Sequence, residues 1–325
     1  MTRAFRIVRR RVLQMIPVIL GIVVFNFLLL HLAPGDAVDV IAGEAGAGDA
    51  GYMARLRQQY GLDQPLPLQL VRYLWNVVQL DLGQSFRQNQ PVLDLILARL
   101  PATLLLMGTA MVMSILFGVV LGVIAAWRVR SLADTVISII ALLSYATPTF
   151  WIGLMFILFF SVTLGWLPTS GMQTIGTSQT GLQAAIDVGR HLLLPAITLA
   201  LFYMAIYTRL MRASMLEIYG QDYVRTAQAK GLSDGRVAFK HVLRNAMLPV
   251  VTMIGLQVGA LLGGSVLVET VFGWPGLGRL AYNAVFQRDF NLLLGILLLS
   301  SVMVVVANLL VDLLYAALDP RIEYR

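Results

Sequence analysis

The chain holds only two lysines, Lys230 and Lys240, and neither stands where chemistry on a phosphate would need it. A phosphate-cradling loop requires Gly-Lys-Ser/Thr after a glycine-rich turn. Lys230 instead follows Ala229 and precedes Gly231, and Lys240 lies between Phe239 and His241. Nucleotide hydrolysis by that route is excluded, so energy has to come from another chain or from an ion gradient. Cysteine is absent from the 325 residues, which removes thiolate nucleophiles, disulfides and Cys-ligated zinc. The three histidines, His31, His191 and His241, are far apart in sequence, and no metal site is expected of them.

One basic stretch offers recognition rather than catalysis. It reads Asp222-Tyr-Val-Arg-Thr-Ala-Gln-Ala-Lys-Gly-Leu-Ser and continues to His241-Val-Leu-Arg-Asn-Ala-Met-Leu-Pro249, between apolar runs. Asp222 is placed to cap a helix over Tyr223–Lys230, and Gly231 to end it in the left-handed conformation. Ser233 can cap the next helix, with Pro249 early in it. The exposed face of the short helix is expected to mix Arg225, Lys230 and Tyr223 with the small Ala227. Such a face suits a shallow groove on a partner. On composition alone it suits anionic lipid headgroups equally well.

The elements that hold this stretch belong to a membrane protein. The chain is 58% hydrophobic and 13% charged, with a mean hydropathy of +0.78. Soluble domains carry roughly 25% charged residues, so an ordinary soluble enzyme is excluded. The net charge of +7 is not a nucleic-acid signal here, because cytoplasmic loops of membrane proteins are rich in Lys and Arg. Six apolar stretches can cross a bilayer core of about 30 Å. They lie near Val12–Leu30, Thr103–Ala126, Val136–Leu164, Leu192–Leu210, Ala246–Val268 and Leu292–Tyr315. Pro148 predicts a kink or an interfacial turn in the third. The first follows Arg9-Arg10-Arg11 and reads as an uncleaved signal anchor, being too long for a signal core and lacking a small-x-small site.

Orientation follows from the basic residues. With the N-terminus inside, inner segments hold 16 Lys/Arg and 6 acids, and outer segments hold 8 and 10. The positive-inside rule therefore sets N-in and C-in. Trp127, Trp166 and Trp274 fall near span ends, as an aromatic belt would place them. The chain divides into residues 1–31 (inner segment and first span), 32–101 (outer segment), 102–320 (five spans, with an inner loop over 211–245) and 321–325 (inner tail). The outer segment carries one amphipathic stretch, Leu68, Val71, Leu74, Trp75 and Val78, at helical spacing. It reads as a partly helical cap on the outer face, either simply packed there or docking an external protein.

The blocks of sequence between these features resemble the permease subunit of a bacterial ABC importer, in the branch serving dipeptides, oligopeptides and nickel chelates. They include Leu-Ala-Pro34-Gly35-Asp36, Gly61-Leu-Asp-Gln-Pro65, Asp81-Leu-Gly83-Gln-Ser85-Phe86 and Leu100-Pro-Ala-Thr103. Pro148-Thr-Phe-Trp151, Arg212-Ala-Ser-Met-Leu-Glu217 and the Asp222 to Gly231 stretch follow, then His241-Val-Leu-Arg-Asn245. Glu269-Thr-Val-Phe-Gly-Trp-Pro-Gly-Leu-Gly278 and Leu318-Asp-Pro-Arg321 complete the set. The resemblance implies an all-α type I permease fold with six transmembrane helices. It makes Asp222, Tyr223, Arg225, Thr226, Ala227, Lys230, Gly231 and Leu232 the coupling helix that docks in an ATPase. Arg225-Thr226-Ala227 stand where Glu-Ala-Ala stand in the general signature, and Leu248-Pro249 comes five residues later than there, as is usual in this branch.

The implied partners are a second homologous permease, two cytoplasmic P-loop ATPase subunits that bind the ATP and magnesium, a periplasmic or lipid-anchored substrate-binding protein, and membrane lipid. No cofactor is expected in this chain, and no nucleic acid. The implied location is the bacterial inner membrane, and the cargo is peptide or, alternatively, a metal chelate. Ser144, Thr147, Pro148 and Thr149 are candidate pathway residues. Gly255, Gly259 and Gly263 form a small-xxx-small face in the fifth span, for packing within the bundle or at a permease–permease interface beside the pore. Asp312 is the one ionisable residue inside a span. A structural role beside an Arg suits it better than proton coupling. A self-contained, ion-driven carrier is the competing class, but no internal repeat of the kind such carriers show is present.

Overall fold

The structure is a computed structural model that describes residues 3–32, 50–60, 63–85, 87–176 and 180–318. It divides into two compact units, Met1–Pro101 with Leu280–Arg325, and Ala102–Arg279.

The first unit is built on α1 (Arg3–Leu32), with α2 (Ala50–Tyr60) and α3 (Leu66–Val78) after it. A minimal hairpin follows, in which β1 (Gln84–Ser85) pairs antiparallel with β2 (Gln90–Pro91). The chain then enters α4 (Val92–Trp127), which continues into the second unit. At the far end of the sequence, α12 (Phe290–Leu318) packs along α1. Asp289 fastens the hairpin to the start of α12. Its buried carboxylate accepts from Ser85 Oγ at 2.5 Å and from the Leu292 amide at 3.2 Å, capping the helix and holding the strand at once. Arg87 adds a bond to the Gln287 carbonyl, and Asn291 one to that of Gln84.

The second unit is organised around α7 (Gly181–Tyr219). α5 (Leu132–Ala146), α6 (Thr149–Phe156) and α10 (Arg244–Val271) pack on it. In its most apolar window 67% of α7 is buried, against 28% for α4, so α7 is the central helix and α4 shows much of its surface outward. Two glycines allow α4 to approach it. A Cβ on Gly118 would fall 2.6 Å from Tyr207 Cβ, and one on Gly122 equally close to Met211 Cβ. The remaining elements are a π-helical continuation of α6 (Ile157–Thr163), α8 (Asp222–Ala229), the short α9 (Asp234–Arg236) with a π-helical stretch (Val237–Leu243) leading into α10, and α11 (Leu277–Phe286).

Among the described residues, four helices are long and apolar enough to cross a membrane: Val92–Trp127, Gly181–Tyr219, Asp234–Gln257 and Phe290–Leu310. A fifth arises if Leu132–Ala146 and Thr149–Thr163, bent by 105°, form one broken span. The first expected span is helical, but its apolar run, Leu13–Leu29, is shorter. The bend stands where Pro148 predicted a kink, and it is a full break. Thr147 is extended, and Pro148, without an N–H to give, starts a new helix. Trp274 corrects the aromatic-belt reading. It is wholly buried and donates from Nε1 to the Ala102 carbonyl at 2.8 Å, whereas Trp127 and Trp166 are exposed.

Candidate functional site

α7 runs directly into α8 through Gly220 and Gln221. The N-cap of α8 is Gln221, not Asp222, which is its first helical residue. The Asp222 carboxylate makes no capping bond. It sits in the first turn, where the helix dipole favours an acid, 3.9 Å from Arg225. The C-terminus follows the expected chemistry. Lys230 is the C-cap, Gly231 has φ +75°, its amide donates to Gln228 O, and the Leu232 amide donates to Ala227 O. That is a Schellman closure with its apolar Leu232–Ala227 pair.

The two faces of α8 differ from expectation at one residue. Ala227 points inward with Val224, both buried against the core. Their i, i+3 spacing and small size let the helix lie close on the Val237–Leu243 stretch. Asp222, Tyr223, Arg225, Thr226, Gln228 and Lys230 face outward. Tyr223 Oη accepts from Asn245 Nδ2 at 3.0 Å, which ties α8 to the start of α10. Thr226 Oγ1 donates back to the Asp222 carbonyl one turn earlier, at 2.9 Å. The result is a short, basic, exposed helix anchored at both ends, with an apolar underside.

The sequence reading missed what fastens α7, the helix that runs into α8, to α5. Arg212 on α7 makes a two-pronged ion pair with Asp134 on α5, at 2.7 and 2.8 Å. Asp134 also accepts from the Arg130 amide, and Ser131 caps α5. One turn earlier on α7, Arg209 lies over the Tyr145 ring at 4.5 Å. Ser131 before Asp134 is a legible helix-start signature. The partner 78 residues away is not.

A second missed residue is Glu269, fully buried at the end of α10. It accepts from Thr103 Oγ1 and from the Arg279 amide, both at 2.9 Å, while Thr103 Oγ1 accepts from the Leu277 amide. Gly276 and Gly278 are required there, because a Cβ on either would collide with the Glu269 carboxylate. The Glu269 to Gly278 block is thus a loop folded over its own carboxylate. A glutamate ten residues before an amide it binds, with glycines between, was the available signal.

The expected pathway residues are only partly brought together. Ser144 is buried, Thr147 and Thr149 are half-buried, and Pro148 is exposed at the bend. Gly255 is buried and Gly263 exposed, with nothing within 4 Å of an added Cβ, while the surroundings of Gly259 lie outside the described residues. Gly118 and Gly122 on α4 make a close helix approach of their own. The Asp312 side chain also lies outside the described residues. Two buried hydroxyls on α7, Thr198 and Tyr207, have no hydrogen-bond partner among the described residues, a state that calls for water or a passing polar group. Neither lysine sits as a phosphate-binding lysine does. Lys230 closes a helix rather than opening one, and Lys240 lies within the π-helical stretch.

Residues 118–324 match the family described as binding-protein-dependent transport system inner membrane component, and residues 4–107 match its N-terminal counterpart. The chain is 43% identical over 317 residues to the oligopeptide transport system permease protein AppB of Bacillus subtilis, covering 97% of this chain and 98% of that one. It is 44% identical over 317 residues to the glutathione transport system permease protein GsiC of Escherichia coli O6:H1, with the same coverage. A solved structure of the MetNI methionine ABC transporter in inward-facing conformations matches 69% of this chain and 96% of its own, with a TM-score of 0.54 at 18% identity. A crystal structure of an amino acid ABC transporter with histidines gives 0.52 at 18%, covering 69% of this chain and 94% of its own. The fold is that of type I ABC importer permeases.

Proposed function

Because this chain belongs to the family of binding-protein-dependent transport system inner membrane components, we propose that it forms half of the translocation pathway of an ATP-driven importer of short peptides. The observation that carries this reading is α8. It is an exposed basic helix held between α7 and the start of α10, with Val224 and Ala227 pinned beneath it. A helix fixed at both ends passes a push on to the helices that hold it. An ATPase groove that closes on Asp222, Tyr223, Arg225, Thr226 and Lys230, with Ala227, Gly231 and Leu232 shaping the helix from behind, would drive α7. The Arg212–Asp134 pair would then carry the motion to α5 and the Ser144–Thr149 bend.

Six spans with both termini inside fit the distribution of basic residues, with the bent pair as one span and α1 as the first. That orientation puts α8 on the cytoplasmic side, in the inner membrane, where ATP is available. A second permease completes the pathway, two ATPase subunits bind the nucleotide and magnesium, and a periplasmic or lipid-anchored protein delivers cargo. Relatives named for oligopeptides and glutathione support a peptide cargo.

The test is uptake by vesicles holding the assembled complex, with labelled di- and oligopeptides and the matching binding protein outside. Uptake is expected only with ATP on the ATPase face, and the purified chain alone should hydrolyse none. Uptake driven by a proton or sodium gradient without ATPase subunits would overturn the importer reading.

A further inference from the structure

We propose that α3 is an interfacial anchor whose exposed stripe, Leu68, Val71, Trp75 and Val78, is immersed in the outer leaflet of the lipid bilayer. The inference rests on the membrane reading of α1 and assigns a partner to an exposed apolar surface. α3 is amphipathic without burying any residue fully. Leu70, Tyr73, Leu74 and Val77 are half-covered. The four stripe residues, at i, i+3, i+7 and i+10, remain 46%, 60%, 62% and 74% exposed. Arg72, Asn76 and Gln79 flank the stripe, and the helix carries no acid. Four large apolar side chains on one helical face are costly in water.

Lipid is chosen over a protein partner by where the helix lies. α3 packs on α1. His31 Nε2 lies 3.0 Å from Gln69 Oε1, and the rings of Phe27 and Tyr73 lie 5.9 Å apart. The contacts are one turn apart on both helices and run in opposite order, so α3 descends along α1 for about 5.4 Å, one helical turn. Phe27 lies within the apolar run Leu13–Leu29, and Phe25, Leu28 and Leu29 beside it are exposed. The C-terminal half of α3, with Trp75 and Val78, therefore sits at the level of side chains that face lipid. An aromatic and aliphatic stripe flanked by a cation and amides is the composition of a helix at a headgroup boundary. A binding protein arriving from the aqueous side would meet the polar flank first.

The cysteine-free chain makes the test direct. Single cysteines replacing Val71, Val78, Asn76 and Gln79 are spin-labelled in the complex assembled in lipid nanodiscs, with Val112 on α4, 64% exposed, as the membrane reference. Collision rates with oxygen, which concentrates in lipid, and with a nickel chelate, which stays in water, are then measured. Labels at 71 and 78 should favour oxygen as the label at 112 does, and those at 76 and 79 should favour nickel. Stripe labels sheltered from both reagents would mean that protein, such as a second permease, covers α3, and would overturn the proposal. Nickel access at 71 and 78 would overturn it in favour of an aqueous docking surface. Nickel access at 112 would strike the membrane reading itself.

Discussion

Gly231 closes α8 at φ +75° with no atom within 4 Å of an added Cβ, so its replacement tests the backbone alone. A β-branched residue in that conformation costs about 1–2 kcal/mol. Asparagine, which tolerates it, costs less. Gly231→Val should leave the complex assembled yet lower ATP-driven uptake several-fold, and Gly231→Asn should retain most of it. A Gly231→Val complex that assembles and transports normally would refute the coupling role of α8. Glu269 gives a contrasting case. In Glu269→Gln an amide would point N–H groups at donors, at a cost of roughly 1–3 kcal/mol. Gly278→Ala would drive a Cβ to within 2.7 Å of Val266 Cα, whereas Gly263→Ala meets open space. In detergent the first two variants should melt several degrees below the parent, and Gly263→Ala at or above it. Equal melting of both alanine variants would show that the Glu269 loop does not stabilise this unit. At this scale the sequence revealed residues governed by local rules. Gly231 follows from the backbone it must adopt. Ala227 was misplaced and Glu269 overlooked because their roles depend on neighbours distant in sequence.

Elements were legible where one strong signal acts along the chain. Hydropathy located the helices and Pro148 the break, and Ser233 stands at the start of α9 where it was expected, without a side-chain capping bond. The two π-helical stretches and the Asp289 clasp were not legible, since they come from packing and long-range bonds. The same holds for the link between α5 and α7. Asp134 is 7% and Arg212 31% exposed in their side chains, so the pair is neither fully buried nor freely solvated. Removing one partner strands the other, and after discounting for the exposed Arg the loss is about 1–3 kcal/mol. Asp134→Asn and Arg212→Gln should each lower the melting temperature and reduce the peptide carried per ATP hydrolysed. The exchange Asp134→Arg with Arg212→Asp should restore part of both. Variants that melt early but keep the full transport-to-hydrolysis ratio would make the pair a packing bond and not a link in the drive.

For the whole molecule, orientation is the property on which the rest depends, because α8 meets a cytoplasmic ATPase only if it lies inside. The proposed orientation has a physical cause, because it puts 16 basic residues inside against 8 outside, a distribution that opposes the inverted insertion. Two exposed positions read it out independently. Gln88 lies in the turn of the β1–β2 hairpin, and Arg236 ends α9, just beyond α8. Neither packs in a core, and the chain has no cysteine of its own to confuse the signal. Gln88→Cys should react with a membrane-impermeant thiol reagent in intact spheroplasts. Arg236→Cys should react only after the inner membrane is opened. Both should support uptake, since neither side chain is buried and a cysteine keeps the backbone bond of residue 88 to Ser85. The reverse pattern would invert the molecule and remove α8 from the reach of ATP. Labelling of both in intact spheroplasts would place an even number of crossings between residues 88 and 236, against the three that Val92–Trp127, the bent pair and Gly181–Tyr219 supply in the six-span reading.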